Sequence, residues 1–553
     1  MNHGLIIGGV VDYYYDSIKR APGAHKIASH LRRQGWDVEV LDFVQSWTLE
    51  ELKEFSRQRV TNKTKFLGVS ATFSIRFKHL YEFLPWFKKE YPDVIIVSGS
   101  QAFYNCEGLP VDYMVTGYGE LAMDAILSGN VKSYDHTWLN GHKFKRVDAT
   151  HDYMAARMKD LSTYYEERDY IEPQEVLTVE FGRGCIFNCH FCTLTHRNIK
   201  DDHSRSEDNL YDELLTNYER WGVTNYSISD ETVNDYTEKL YRYSKEIKKL
   251  PFKPNMAGYI RGDLLVSKPN DWEMIADIGL NAQFYGIESF NRPSAKSVGK
   301  GMESVRLQDG LLKYREWMEA RGYYKGHLSL IAGLPHETLD TLRATKQWIE
   351  TNWVGHSHQI MPLWIPDIVR PYEEQSRFAE DPAKYGYTET TLSQCTNMEW
   401  EDGPQKRFGG LFKGLKAREE PGYERVYKTE EATFSEEMAF MNWKNKDMNL
   451  YQAIDFLEHE WYDQNEIHDK QPPLPFSYHN WLIDPKYKWE DMKQPRNDLD
   501  LPKELAEKFI VSFFFHLLSS VFVLYPNLVS SLGPQCSRSV SYTHLRAHET
   551  PEQ

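Results

Sequence analysis

Gly182-Arg183-Gly184-Cys185-Ile186-Phe187-Asn188-Cys189-His190-Phe191-Cys192 carries three cysteines in the spacing C-x-x-x-C-x-x-C. It follows an apolar run at residues 176–180 that reads as a strand, so three thiolates share one short loop at a strand end. Three cysteines on a four-iron cluster leave one iron open to a small molecule, whereas a structural metal site ordinarily closes its shell with protein ligands. The alternative reading is a Cys3His zinc site with His190 or His196 as fourth ligand.

Downstream of the loop the same alternation repeats. Candidate strands fall at residues 225–229, 255–259, 282–286, 327–332 and 359–363. Between them lie amphipathic stripes, Leu210, Leu214, Tyr218 and Trp221 on one and Leu307, Leu311, Tyr314 and Met318 on another. Six βα units predict a partial TIM-like (β/α)6 barrel over residues 173–365. Active sites of parallel barrels lie at the carboxyl ends of the strands, where this loop falls.

Upstream, short β-branched strands at 4–10, 38–43, 66–70 and 94–98 alternate with helical patterns at 23–34 and 77–90. They predict an α/β, Rossmann-like, doubly wound domain over residues 1–130. Its strand ends carry Ser70-Ala71-Thr72, Ser98-Gly99-Ser100 and Thr116-Gly117-Tyr118-Gly119-Glu120. Residues 131–172 are polar and read as a linker. Residues 366–508 read as a mainly helical C-terminal extension that either caps the barrel mouth or lies at its periphery.

The chain has 553 residues, 41% hydrophobic, enough for several cores, and a formal net charge of −16. No Lys/Arg run stands out, which argues against a nucleic-acid backbone as partner. Cys106, Cys395 and Cys536 are scattered and do not form a disulfide framework with the clustered three, so a reducing cytoplasm is expected. No signal segment opens the chain. The apolar run at 509–524 is shorter than the roughly 20 residues of a membrane span and reads as a short helix or out-of-frame translation, within a segment of doubtful origin at 509–538. Residues 539–553 resemble translated sequencing-adapter read-through and are set aside.

The cysteine loop, with an aromatic residue before its last cysteine, resembles the radical S-adenosylmethionine (radical SAM) superfamily, and the preceding domain resembles its cobalamin-binding-domain subgroup. The resemblance implies that Cys185, Cys189 and Cys192 hold a [4Fe-4S] cluster whose open iron binds the amino and carboxylate groups of S-adenosylmethionine, with Phe191 beside the adenine. Asp230-Glu231-Thr232-Val233-Asn234 is similar to an Asp-Asp-x-Phe segment, which implies that Asp230 holds the cofactor amino group. Arg261 would clamp its carboxylate. Gly286-Ile287-Glu288-Ser289 is similar to a Gly-x-Glu-Ser segment in which Glu288 and Ser289 face the cofactor. Gly333 opens Gly-Leu-Pro-His-Glu-Thr, similar to a Gly-Leu-Pro-Gly-Glu-Thr turn, with His336 where the family has glycine. Read from the residues alone, helix capping by Asp230, an Arg261–Asp263 salt bridge, a buried structural hydrogen bond at Glu288 and an exposed His336 stand as alternatives.

In the first domain, Ser70, Thr72 and Gly99 match positions that line the nucleotide tail of cobalamin in the resembling group, while Ser100 replaces the second glycine of the usual pair. The Asp-x-His-x-x-Gly element that supplies a histidine to cobalt is absent; the chain reads Val11-Asp12-Tyr13-Tyr14-Tyr15-Asp16 there. A vestigial lid or a substrate-recognition module stands beside cobalamin binding as a role for this domain. By resemblance the protein is an enzyme. A reduced cluster cleaves S-adenosylmethionine to methionine and a 5′-deoxyadenosyl radical, which abstracts hydrogen from a substrate named by no motif. With cobalamin bound, methyl transfer is the expected outcome; without it, rearrangement, dehydrogenation or sulfur insertion stays open. The expected partners are a small-molecule substrate and an electron donor such as flavodoxin or ferredoxin, with no nucleic acid and no membrane. The rival readings are a zinc-stabilised non-catalytic binding protein and a methylthiotransferase-like enzyme.

Overall fold

The computed structural model describes residues 2–461 other than 9, 13–16, 43, 45–46, 71–79, 101–108, 138–140, 151–159, 194–196, 323, 366–375, 391–440 and 442. Thr72, Cys106, His196, Cys395, Cys536 and the segments at 509–538 and 539–553 lie outside the described residues.

The first domain is built on β1 (Gly4–Ile7), β4 (Val38–Leu41), β5 (Phe66–Ser70), β6 (Ile95–Ser100) and β7 (Tyr113–Thr116), all parallel. Between β1 and β4 the chain forms a small hairpin, β2 (Val10–Asp12) and β3 (Ser17–Lys19). Side chains leave both faces of β1 and β4 buried, which is why these strands read as unbroken apolar runs. One face packs Ala24, Ala28 and Leu31 of the helix Pro22–Arg33 with Ala122, Met123 and Ile126 of the helix Glu120–Leu127. The other face packs Leu52 and Phe55 of the helix Leu49–Arg59 with Phe83, Leu84 and Phe87 of the helix Leu80–Glu90. The domain is therefore doubly wound. Its strand order is β4-β1-β5-β6-β7, which reverses direction between β1 and β5. The carboxyl ends at that reversal form the crevice where such sheets take ligands.

The sheet continues past β7 with β9 (Lys143–Asp148), parallel, and β8 (Tyr134–Thr137), antiparallel at the edge. The linker expected over 131–172 thus supplies two strands. Its polarity misleads because β9 alternates exposed Lys143 and Lys145 with buried Phe144, Arg146 and Val147, one face solvated and one on the core.

The second sheet is β10 (Val176–Val179), β11 (Asn225–Ile228), β12 (Asn255–Arg261), β13 (Leu280–Glu288), β14 (Lys325–Ala332) and β15 (Ser357–Pro362), parallel and in chain order, as the (β/α)6 reading expects. Its outer face buries Leu177, Tyr226, Met256, Tyr285 and Leu328 against the surrounding helices in one continuous core. The helix Glu207–Trp221 contributes Leu210 and Leu214 and stops at Gly222, whose φ of +71° is the left-handed cap that glycine takes freely. Ser304–Glu319 buries Leu307, Leu311, Tyr314 and Met318, the stripe predicted for it.

Most of the extension expected to be mainly helical lies outside the described residues. Its described parts are the short helix Arg377–Glu380, the helix Leu450–Phe456 and a two-stranded clip of β16 (Thr388–Glu389) and β17 (Trp443–Lys444). Among the described residues no helix is long and apolar enough to cross a membrane.

Candidate active site at the barrel mouth

The cysteine loop leaves the end of β10 and is pinned to its neighbours by backbone groups. Asp230, just past β11, accepts from Phe181 N at 2.7 Å and Gly182 N at 3.2 Å. Arg183 N donates to His203 O and Ile199 N to Cys185 O, both at 3.1 Å, and Cys192 N closes a turn on Cys189 O. None of the three cysteines is in a disulfide. Cys185 is buried with Sγ 3.8 Å from Thr232 Oγ1, and Cys189 Sγ accepts from Arg261 Nη1 at 3.5 Å. Two of the thiols therefore face the ends of β11 and β12. His190, the candidate fourth zinc ligand, is turned to the barrel wall: Nδ1 lies 2.6 Å from Ser297 O and the ring packs on Tyr385. Among the described residues, no group of three or more His, Cys, Asp or Glu converges to suit a single ion. Phe191 is half-buried against the barrel core.

Asp230 is thus engaged by the loop's own backbone, where the resemblance had it on the cofactor. Burial pushes its carboxyl up to about 6 despite Lys239, whose Nζ lies 3.6 Å away. Lys239 also pairs with Asp235 at 2.6 Å, completing a buried charge cluster under the loop that sequence reading missed. Glu231 is half-buried and pushed up to about 7 by desolvation and by Asp230.

Arg261 ends β12 and holds Asp263 with two nitrogens, Nε to Oδ1 at 2.7 Å and Nη2 to Oδ2 at 2.9 Å. This is the Arg261–Asp263 salt bridge that the residues alone allow. Glu288 ends β13 after a register shift, with φ of +65°, and pairs with Lys300 Nζ at 2.7 Å. Ser289 donates to Glu337 Oε1 at 2.7 Å, and Gly333 N donates to Oε2 of the same carboxylate at 2.9 Å. Glu337 is buried and ties the ends of β13 and β14. Gly333 has φ of +100°, and a Cβ there would stand 2.2 Å from the ring of Trp443. Tyr387 Oη donates to Gly333 O at 2.8 Å, so the described extension seats on this turn. His336 also has a positive φ, +67°, which explains physically why a glycine suits the position.

Inside the barrel, alternation turns Thr178, Tyr259, Gly286, Ser329 and Met361 to the lumen, where they are half-buried. Phe284 and His327 stack below them with centroids 4.8 Å apart, and Tyr259 meets Phe284 edge-on at 4.7 Å. Burial drives His327 down to about 3, so its ring is neutral. Gln359 Nε2 donates to Ser329 Oγ at 3.2 Å. The lumen thus has an aromatic floor and hydroxyl and amide walls, with Glu180, Arg261 and Glu288 at the rim.

The two domains meet at this rim. Arg183, in the cysteine loop, pairs with Glu120 at 2.6 Å and Glu180 at 3.0 Å, and its guanidinium sits 4.1 Å from the Tyr118 ring centroid. Lys26, from the helix after β1, reaches Glu180 at 3.0 Å. Burial works to raise Glu180, but Arg183 and Lys26 outweigh it and hold the carboxyl near 2. Behind them Arg20 joins Asp42 of the first domain at 2.7 Å to Glu175 at the entry of β10 at 2.6 Å. Tyr118, Glu120 and Lys26 all follow carboxyl ends of first-sheet strands, so that crest faces the cysteine loop. Ser70 and Gly99 lie side by side on it in register. Among the described residues a Cβ on Gly99 would meet only Val115 O, at 3.7 Å.

Residues 179–349 match the Radical SAM superfamily. A cytidylyl-2-hydroxyethylphosphonate methyltransferase of Streptomyces wedmorensis is 24% identical over 201 residues, 34% of this chain and 36% of that protein. A putative methylthiotransferase of Methanocaldococcus jannaschii is 23% identical over 319 residues, 52% of this chain and 64% of that protein. Neither alignment reaches two thirds of its relative's length. Among solved structures, the radical S-adenosylmethionine methyltransferase TsrM from Kitasatospora setae, with cobalamin and a [4Fe-4S] cluster bound, superposes with a TM-score of 0.54 at 14% identity, covering 88% of this chain and 92% of that one. That likeness is one of fold, a doubly wound domain before a partial barrel. The three-cysteine loop stands at the mouth of a six-stranded parallel barrel, and the match to the Radical SAM superfamily falls on those same residues, 179–349.

Proposed function

We propose that the protein is a radical S-adenosylmethionine enzyme with cobalamin on its first domain, transferring a methyl group to a small molecule held in the barrel lumen. The observation that carries the reading is the Arg183–Glu120 pair, which sets the ligand-binding crest of the first sheet over the cysteine loop. A cofactor on that crest and one on the loop would share a single reaction space above the lumen.

The donor set suits a four-iron cluster. Three cysteines outside any disulfide share one loop, two face polar groups from consecutive strand ends, and His190 is withdrawn to the wall. When bound, such a cluster supplies the electron that splits S-adenosylmethionine. The chain's own part is to position and to exclude. Asp230 fixes the loop to β11, and Glu337 fixes the ends of β13 and β14 to each other. Trp443 and Tyr387 cover the Gly333 turn against solvent. Glu288, Ser289 and Phe191 stand at the rim where the superfamily resemblance puts cofactor contacts.

For cobalamin, Gly99, which has no side chain, and Ser70 beside it at the strand-order reversal suit a ligand tail on the crest. The β2–β3 hairpin stands where a cobalt-ligating histidine element would fall, so cobalamin here takes no histidine from that element. The Streptomyces relative's name is that of a methyltransferase, whereas the Methanocaldococcus relative's is that of a methylthiotransferase, the rival reading; TsrM has also been solved with a tryptophan substrate. A flavodoxin or ferredoxin is the fitting electron source.

The test is anaerobic reconstitution with iron, sulfide and hydroxocobalamin, followed by S-adenosylmethionine and a strong reductant. The intact protein should release 5′-deoxyadenosine and retain cobalamin through gel filtration, and a Cys185/Cys189/Cys192→Ala triple variant should release none. Zinc in place of iron, with no cleavage in either protein, would overturn the reading in favour of a structural metal site.

A further inference from the structure

Arg261 leaves β12 with its guanidinium fixed on several sides. Asp263 takes Nε and Nη2, and Nη2 also donates to Gly299 O at 3.0 Å. Phe187, from the cysteine loop, lies against the guanidinium with its centroid 4.0 Å away. Nη1 donates to Cys189 Sγ at 3.5 Å. A guanidinium that clamps a carboxylate uses two parallel N–H groups on one edge, and here Asp263 already occupies such an edge.

We propose that Arg261 is a positioning residue for the iron–sulfur cluster rather than a clamp on the cofactor carboxylate, and that its N–H on the Cys189 sulfur sets the ease of cluster reduction. This rests on the reading that the three cysteines hold a [4Fe-4S] cluster. A cationic donor on a ligand sulfur withdraws electron density and favours the more negative, reduced cluster, so it raises the potential of the one-electron couple. Phe187 keeps water from one face of the charge, where hydration would weaken its reach. Asp263 aims the guanidinium and offsets part of its charge. The two side chains therefore act with opposite sign.

The test is a redox titration of the reconstituted holoenzyme followed by electron paramagnetic resonance, without S-adenosylmethionine, on wild type, Arg261→Met, Arg261→Lys and Asp263→Asn. Arg261→Met should make the reduced cluster about tenfold less populated at a fixed potential, a shift of ~59 mV to the negative. Arg261→Lys should fall between it and wild type, and Asp263→Asn should shift the other way. Equilibrium dialysis of S-adenosylmethionine against the oxidised proteins should give the same affinity in wild type and Arg261→Met. An unchanged potential in Arg261→Met with cofactor affinity lost would overturn the proposal and restore the clamp. If Arg261→Met does not load, the opposed shifts of Arg261→Lys and Asp263→Asn carry the test, and shifts of the same sign refute it. Wild-type protein without stoichiometric iron and sulfide would instead overturn the underlying cluster reading.

Discussion

Replacing Glu337 with glutamine measures what it costs to keep a carboxylate beneath the Gly333 turn. Ser289 and Gly333 donate to its two oxygens, yet burial outweighs them and pushes the group up from 4.5 to about 7. The folded protein then holds the proton more tightly than the unfolded chain. The favourable contribution is fully present below about pH 4.5 and is lost as pH rises through about 7. The gap corresponds to about 3 kcal/mol at pH well above 7. Glutamine keeps an acceptor for Gly333 N–H and donates to Ser289 Oγ, so it preserves the geometry without the charge. Thermal unfolding of both proteins from pH 5 to 8.5, taken as a difference, removes every other titration. The variant should match wild type at pH 5 and exceed it by about 2–3 kcal/mol at pH 8.5, a gain of several degrees in Tm. Parallel curves across the range would refute the claim that the folded state raises this group.

Gly333→Ala should cost about 2–4 kcal/mol, since it adds both a positive-φ strain and an overlap with Trp443; tryptophan fluorescence should report Trp443 leaving its pocket, and an unchanged emission would contradict the seating. His336→Gly should stabilise by about 0.5–1 kcal/mol, because glycine meets the +67° conformation without the Cβ penalty; chemical denaturation checks the sign, and a loss would show that the imidazole makes a compensating contact. Glu120→Gln should cost about 3 kcal/mol by leaving the buried Arg183 charge half-compensated. A Glu120→Gln/Arg183→Met double variant should recover part of that, and strictly additive costs in the cycle would mean the pair does not couple the domains.

The strands of the barrel were legible because parallel strands buried on their outer face read as apolar runs, and the three-cysteine spacing marked which strand end carries chemistry. The doubly wound core was legible for the same reason. β9 was not, because its alternating lysines look like linker composition. The roles of the polar rim residues were the least legible. Asp230 turns to Phe181 and Gly182, and Glu337 to Ser289 and Gly333, and such partners arrive from distant chain segments that no local pattern records. Arg261 shows both cases: Asp263, two residues on, could be read as its partner from sequence, whereas Cys189 could be seen only once β12 and the loop were folded together.

The central claim is that Cys185, Cys189 and Cys192 hold a cluster with one iron free for S-adenosylmethionine. The direct measurement is electron paramagnetic resonance of the reduced, reconstituted protein before and after adding S-adenosylmethionine, with iron and sulfide counted on the same sample. Four irons and four sulfides per chain and a spectrum that changes on cofactor addition are predicted. A spectrum indifferent to the cofactor, or a chain that retains one zinc and no sulfide, would contradict it.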